Sequence, residues 1–519
     1  MGFNLPFDLS RIAIAHGPAR GHMRGGFSFI VSEDSDDPRV RVKHLSPKAA
    51  LIDFAIPGKQ DTPRGMRGRG LYVPPYRGYF VDVKTLAAAL MSRSFSLASL
   101  TAALKTPTQK NDSDEHGTVT DSYLDYARDD VQATWECYRA LVARYMEHGL
   151  EQPCAKILSE ASLGKGYLQQ MGIQPLLACH PEFPRELLGQ IFCSYYGGRA
   201  EVRIRREIRE ILYCDFKSMY PTVNSLMGLW EFVIADGIRW LDATVATQRF
   251  LDRVTSDDLQ KPKNWRRLRT LVRLQPDDNL LPVRAKYDGK SHTIGLNYLT
   301  ADLPLWYTLA DCIVSKLLTG KAPKILEALT FEPGPPQDGL QPINILSRED
   351  FRIDPRKDDL FTRLIDLRDE VKEEKDEIEK TLKIIANSTS YGIFIEINRD
   401  DAPKSEPLAM FGPDGESWLI DIKAIEEPGK YFHPLLGVLI TGAARLMLGL
   451  AEKKALDEGL DWAFCDTDSL AIVRPEKMTR KEFRQSAQSV INWFVPLNPY
   501  RKSGSILQLE GQNFGSPLI

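Results

Sequence analysis

The sequence predicts an α+β protein of more than one domain, and three observations carry that expectation. The chain has 519 residues, more than a single hydrophobic core accommodates, which points to two to four domains. Two long stretches, YLDYARDDVQATWECYRALVARYMEHG and FTRLIDLRDEVKEEKDEIEKTLKIIANSTSYGIF, repeat apolar residues at helical spacing. Elsewhere short apolar runs close on turn residues, as in WAFCDTDSLAIV from Trp462 to Val473, which reads as strand–turn–strand.

Composition narrows the class. With 43% hydrophobic and 26% charged residues, the chain is globular rather than disordered. A net charge of −3 neither demands nor excludes a nucleic-acid partner, because local basic strips outweigh the sum. None of the seven cysteines forms a C-x-x-C pair, which argues against a zinc ribbon or disulfide framework and fits a reducing interior. The opening MGFNLPFDLS lacks a basic segment followed by an apolar run, and Pro6 breaks a myristoylation pattern, so the expected location is cytoplasmic. The most apolar helix candidate, PLLGVLITGAARLMLGLA, carries Arg445 and is expected to be a core helix with no membrane partner.

In chain order, GFNLPFDLSRIA brings Asn4, Phe7 and Asp8 ahead of an apolar run. The stretch from Arg24 to Pro75, rich in Gly, Pro, Arg and Asp, reads as a β-rich or loop insertion. Lys105 to Ser122 is a polar loop before the first long helix, which carries Tyr126, Asp130 and Thr134 on one face. A helical linker leads to Tyr195-Tyr196-Gly197-Gly198 and an alternating basic run, Arg199, Arg203, Arg205, Arg206 and Arg209, which suits a phosphate track or a solvated edge strand. The next strand ends in Asp215, followed by Ser218, Tyr220 and Pro221. Gly228 to Ile345 shows no internal repeat and holds the basic patch KPKNWRRLRTLVR. In the second long helix Lys383, Asn387 and Tyr391 stand at i, i+4 and i+8, within about 80° of arc. A hairpin with a PDG turn at Pro413–Gly415 precedes the Arg445 helix. The acidic pair Asp466 and Asp468 follows, with Thr467 between; two carboxylates beside a turn can face one divalent metal, and burying them requires a compensating cation.

Together these pieces resemble a family B DNA polymerase. The family's D-x-x-S-L-Y-P stands here as DFKSMYP (Asp215 to Pro221), its K-x-x-x-N-S-x-Y-G as KIIANSTSYG (Lys383 to Gly392), and its Y-G-D-T-D-S as FCDTDS (Phe464 to Ser469). YYGG resembles the Y-x-G-G linker between exonuclease and polymerase parts. GFNLPFD and YARDD resemble the second and third exonuclease motifs, carrying Asn4, Asp8, Tyr126 and Asp130.

The resemblance implies a partial RNase H-like 3′–5′ exonuclease domain at 1–150, a helical linker at 151–195, and a ferredoxin-like palm with an insertion at 196–350. It further implies short helical fingers at 351–395 and the rest of the palm at 396–519, with a hairpin at 396–432 and the thumb largely absent. The implied activity is template-directed addition of deoxynucleotides to a primer 3′-hydroxyl with two Mg²⁺ ions, Mn²⁺ substituting. Asp215, Asp466 and Asp468 are then catalytic, with Asp215 and Asp468 as metal ligands. Arg368, Lys372, Lys383, Asn387, Ser218, Tyr220 and Tyr391 bind the nucleotide, Tyr220 excluding a 2′-hydroxyl by bulk. Tyr195, Tyr196, Gly197, Gly198, Arg199 and Thr467 contact DNA. Expected partners are primer–template DNA, deoxynucleoside triphosphates, and a priming protein or accessory replication factors.

Two departures from the family pattern shape the expectations. ANSTSYG has one residue more between Asn387 and Tyr391 than the family, which rotates Tyr391 by about 100° on a continuous helix. The family's first exonuclease motif, D-x-E, belongs upstream of Asn4, so proofreading is expected to be lost. The rivals to the polymerase are a non-catalytic DNA-binding remnant and a 3′–5′ exonuclease using Asp8 and Asp130.

Overall fold

The computed structural model describes residues 1–34, 37–55, 78–110, 119–287, 291–372, 376–411 and 416–514. The TPRGMRGRG stretch, part of the polar loop after Lys105 and the turn at Pro413–Gly415 lie outside them. The architecture is mixed α+β with several separate sheets.

The N-terminal segment opens with a helix, Leu5–Ile12, and an antiparallel meander of four strands, Ala15–Pro18, Phe27–Ile30, Val40–Ser46 and Ala49–Phe54. Leu9, Phe29, Val40 and Val42 form a small core of their own beneath it. The helices Val83–Met91, Leu97–Leu104 and Asp121–Glu147 instead join the main core through Leu86, Leu90, Leu100, Cys137 and Leu141.

The part that positions the site is a five-stranded antiparallel sheet. Its strands are β1 (Ala200–Val202), β2 (Ile211–Phe216), β3 (Asp461–Asp466), β4 (Ser469–Val473) and β5 (Leu507–Gln512), in the spatial order β5-β2-β4-β3-β1. β4, SLAIV, is buried at every position, as a central strand covered on both faces must be. Strand β2 leads through Lys217 and Ser218 into helix α1 (Met219–Met227). Two further helices, α2 (Leu360–Val371) and α3 (Asp376–Ser390), pack on each other and on α1. The side chain of Asp359 caps α2, accepting from the amides of Phe361 and Thr362.

Helix α4 (Pro434–Asp457) runs through the core. It is long and apolar enough to cross a membrane by length and composition, yet here it is buried inside the protein. Small residues let its neighbours close in: a Cβ at Gly442 would lie 2.5 Å from the Thr308 hydroxyl, and one at Gly449 3.0 Å from Val314. Its Arg445 is 0% exposed and donates to both Asp311 carboxylate oxygens at 2.7 and 2.9 Å.

The Gly228–Ile345 section forms a second four-stranded sheet and the two-stranded ribbon Asn279–Tyr287/Ser291–Leu299. Its basic patch is structural in part: buried Arg269 donates to the carbonyls of Met227 and Gly228 and pairs with Glu231. After α3, Ile397–Phe411 and Ser417–Pro428 pair as a ribbon that, among the described residues, shares no sheet with another strand. Leu408, Met410, Trp418, Leu419 and Ile420 stand exposed on it.

Candidate active site

Asp215 is the penultimate residue of β2, opposite Ser469 of β4 and Gln508 of β5. The β3–β4 hairpin turns on Thr467 and Asp468, and Thr467 takes the left-handed conformation (φ 56°) that so tight a turn requires. The turn is held from both sides. The Thr467 amide donates to the Arg199 carbonyl at 2.7 Å, the Asp468 amide to the Asp466 carbonyl at 2.6 Å, and the Phe216 amide to the Asp468 carbonyl at 2.8 Å. These bonds set Asp468 beside the end of β2, where both its carboxylate and that of Asp215 line one cavity.

The electrostatics record that closeness. Asp215 is pushed up to about 7, first by burial and then by the charges of Asp468 and Glu510, against the pull of Lys383. Asp468 is raised as well, by burial first, with Asp466 and Glu510 adding to it. Glu510 went unmarked in the sequence. It sits on β5 where the pairing with β2 slips between Leu509 and Gly511, and such a bulge re-aims a side chain. Asp466 stands apart from the pair: it is exposed and lines a different groove, with Glu201, Arg205 and Phe464.

Facing the carboxylates are the residues expected to grip a nucleotide. Ser218, Arg368, Lys372, Lys383 and Asn387 all line the same cavity, together with Lys502, which sequence reasoning missed. On α3 the face is cut out by burial: Lys383 and Asn387 are exposed while Leu382, Ile384, Ile385 and Ala386 are buried. The Arg368 guanidinium donates to one Glu379 oxygen from Nε (3.1 Å) and Nη2 (2.6 Å), and from Nη1 to the Ser218 hydroxyl at 3.2 Å. Lys217 pairs with Asp369 at the same wall. Among the described residues the cavity carries five cations, Lys217, Arg368, Lys372, Lys383 and Lys502, and five anions, Asp215, Asp369, Glu379, Asp468 and Glu510.

Tyr220 and Tyr391, also expected to bind the nucleotide, are not among the side chains that line this cavity but pack on each other. Helix α3 stops at Ser390, whose carbonyl accepts from the buried Asn224 side chain at 2.9 Å, and Tyr391 leaves the helix with φ −155°. Its ring lies 4.6 Å from that of Tyr220, tilted by 38°, and its hydroxyl meets that of Tyr195. The rotation expected of a continuous helix does not apply, because the helix has already ended.

The YYGG turn is shaped by close approach. Gly197 has φ 107°, and a Cβ on Gly198 would lie 3.2 Å from Thr467 and 3.3 Å from the Tyr220 hydroxyl. Tyr196 stacks on Tyr307 at 5.1 Å, and Arg445 donates to the Gly197 carbonyl at 2.5 Å. Arg199 departs from its expected role on the DNA surface. It is 2% exposed, pairs with Glu201 and Glu452, and supports the acidic turn through its carbonyl. Its guanidinium is committed to carboxylates because a buried cation must be. Beyond it the basic run leaves the strand at Val202; Arg203 pairs with Asp461, and Arg209 with Glu207 and Glu476.

The exonuclease-like residues fall into two places. Asn4 and Asp8 lie by the Leu5–Ile12 helix, where Asp8 is raised by burial first and then by Asp82, which also accepts from the Leu5 amide at 3.0 Å. Tyr126 and Asp130 share a helix face and are bound together by Lys110, 2.8 Å from Asp130. Among the described residues no group of three or more His, Cys, Asp or Glu side chains is gathered to hold a metal ion. The Asp215–Asp468 pair is different in kind: two hard-oxygen donors on one cavity, both raised first by burial and then by neighbouring carboxylates, a donor set that fits a divalent cation such as Mg²⁺.

Comparison with known proteins gives a limited result. No family model matches the sequence, and no curated protein matches it. Among solved structures, phi29 DNA polymerase in a ternary complex with primer–template DNA and incoming nucleotide aligns with a TM-score of 0.45 and 17% identity, over 82% of this chain and 64% of that one. Phi29 DNA polymerase with single-stranded DNA aligns with a TM-score of 0.44 and 14% identity, over 96% of this chain and 69% of that one. The chain thus spans about 64% of the length of the first of these.

Proposed function

We propose that the protein is a template-directed DNA polymerase of the family B type, extending a primer 3′-hydroxyl with deoxynucleoside triphosphates. One observation carries the reading: a single cavity is lined by the carboxylates Asp215 and Asp468 from the sheet and by Arg368, Lys372 and Lys383 from the α2–α3 helix pair. Phosphoryl and nucleotidyl transfer are catalysed mostly by positioning and charge, and this cavity offers carboxylates for metal and cations for phosphate side by side.

Asp215 and Asp468, with Glu510 beside them, would hold Mg²⁺ or Mn²⁺. Two such ions supply a lowered pKa at the attacking hydroxyl and charge neutralisation at the leaving group. Lys383 and Arg368 bind the triphosphate, and Lys372 and Lys502 extend the cationic wall. Tyr220, braced by Tyr391, sits under the sugar and leaves no room for a 2′-hydroxyl. The YYGG turn, pinned by Arg445 and packed on Thr467, presents backbone and Tyr195 to the template strand. Asp466, outside the carboxylate pair, acts through its charge on Asp468 rather than as a ligand.

The test is extension of a labelled primer on a DNA template with the four deoxynucleotides and Mg²⁺. Wild type should extend, and Asp215→Ala and Asp468→Ala should each lose at least about a thousandfold in rate. A wild-type chain that binds primer–template but never extends it would instead support the non-catalytic remnant.

A further inference from the structure

Arg368 and Glu379 form an ion pair inside the cavity, where the carboxylate occupies a guanidinium edge that a phosphate would also use. Both side chains line the nucleotide cavity, and both are largely shielded, at 18% and 15% exposure. Arg368 uses its Nε–Nη2 edge on the carboxylate. That edge is the fork by which arginine takes two phosphate oxygens. Glu379 precedes Lys383 by one helical turn, so it extends the cavity-facing stripe of α3 toward Arg368. The start of the same helix is tied to the Asp121–Glu147 helix by the Arg144–Glu377 pair.

We propose that Glu379 is a displaceable counter-ion: it holds the Arg368 guanidinium between turnovers and yields it to the triphosphate of the incoming nucleotide. The proposal rests on the polymerase reading for the identity of the ligand, and on the geometry alone for the existence of a polyphosphate site at Arg368. The exchange swaps one anion for another, so the guanidinium never faces the shielded cavity unpaired, which would cost far more than the swap. It also sets a threshold. An anion must outcompete a carboxylate already in place, so a short phosphate gains little while a polyphosphate that also reaches Lys383 gains more. Once the bond to the primer forms and pyrophosphate separates, the returning Glu379 carboxylate competes with it for Arg368 and favours its release.

The first measurement is calorimetric binding of inorganic tripolyphosphate and of pyrophosphate to the full chain, for wild type, Glu379→Gln and Arg368→Ala. Glu379→Gln should bind tripolyphosphate about three- to tenfold more tightly than wild type and pyrophosphate by a larger factor, the range expected for removing one partly shielded competing charge. Arg368→Ala should weaken both, and Glu379→Gln added to it should restore nothing. In primer extension the Glu379→Gln variant should show a lower KM for nucleotide, no gain in kcat, and stronger inhibition by added pyrophosphate.

Glu379→Ala is the second variant, should the glutamine fail to fold, because alanine is the best helix former at such a position. Equal or weaker tripolyphosphate binding in both folded variants would overturn the proposal and make Glu379 a splint that orients Arg368. A chain that gains tripolyphosphate affinity but never extends a primer would overturn the polymerase reading while leaving the counter-ion exchange standing.

Discussion

The hydroxyls of Tyr195 and Tyr391 meet at 2.5 Å, joining the turn before the sheet to the end of helix α3 across 196 residues of sequence. Tyr391 also packs on Tyr220, so one aromatic contact ties the YYGG turn to the first turn of α1. Removing either hydroxyl should loosen that link. Tyr195→Phe and Tyr391→Phe should each cost about 1 kcal/mol in urea unfolding, and the double variant should cost no more than either alone. Fully additive effects would show that the two hydroxyls act separately.

Tyr220 is the residue whose bulk the sugar assignment depends on. Tyr220→Val should raise ribonucleotide incorporation at least about tenfold relative to deoxynucleotide, an effect of steric relief of the order of 1–3 kcal/mol. Paired single-nucleotide extension assays read it directly. An unchanged ratio would move the discrimination elsewhere, with Asn387 the next residue to vary.

Asp215 gives a pH signature in the presence of chelator. Its carboxyl takes up a proton near pH 7 in the folded protein and near its ordinary 3.8 when unfolded. Between those values the folded state binds more protons, so raising the pH costs stability. Asp215→Asn removes that cost. Its advantage over wild type should be small near pH 4 and should grow by about 2 kcal/mol between pH 5 and pH 8. An advantage that is flat with pH in urea titrations would mean that Asp215 is not forced to hold its proton.

The Arg445–Asp311 pair is fully buried, and its halves depend on each other. Arg445→Leu alone should destabilise by about 3–5 kcal/mol, because Asp311 is left charged in the core. Arg445→Leu combined with Asp311→Leu should recover much of that loss in chemical denaturation. Since Arg445 also holds the Gly197 carbonyl, the double variant should regain stability without regaining tight primer–template binding.

How much of this was legible in the sequence depends on whether a residue's role travels with its local pattern. Asp215, Asp468, Lys383 and Asn387 stand on regular elements with short motifs around them, and their strand ends and helical spacing predict one shared cavity. Glu510 depends on a bulge in a strand that pairs with β2 from nearly 300 residues away, and no local pattern reports a bulge. Glu379 reads as one more charge in a run of Glu and Lys, and only the packing of α3 on α2 shows which cation it faces. Arg199 was misread for the converse reason. A run of arginines looks like a surface, and burial at 2% exposure comes from the β3 and α4 neighbours on which it packs. The course of Tyr391 turned on where a helix stops, set by Asn224 on another helix.

The even charge count of the cavity has a consequence for how such a chain can diverge. Five positive and five negative side chains share one partly enclosed space. Among them Arg368–Glu379 and Lys217–Asp369 are shielded pairs, and deleting one member leaves the other's charge without its partner. Descendants of this sequence should therefore change those four positions in couples, Arg368 with Glu379 and Lys217 with Asp369, so that the ledger of inheritance there is kept by pairs rather than by single residues.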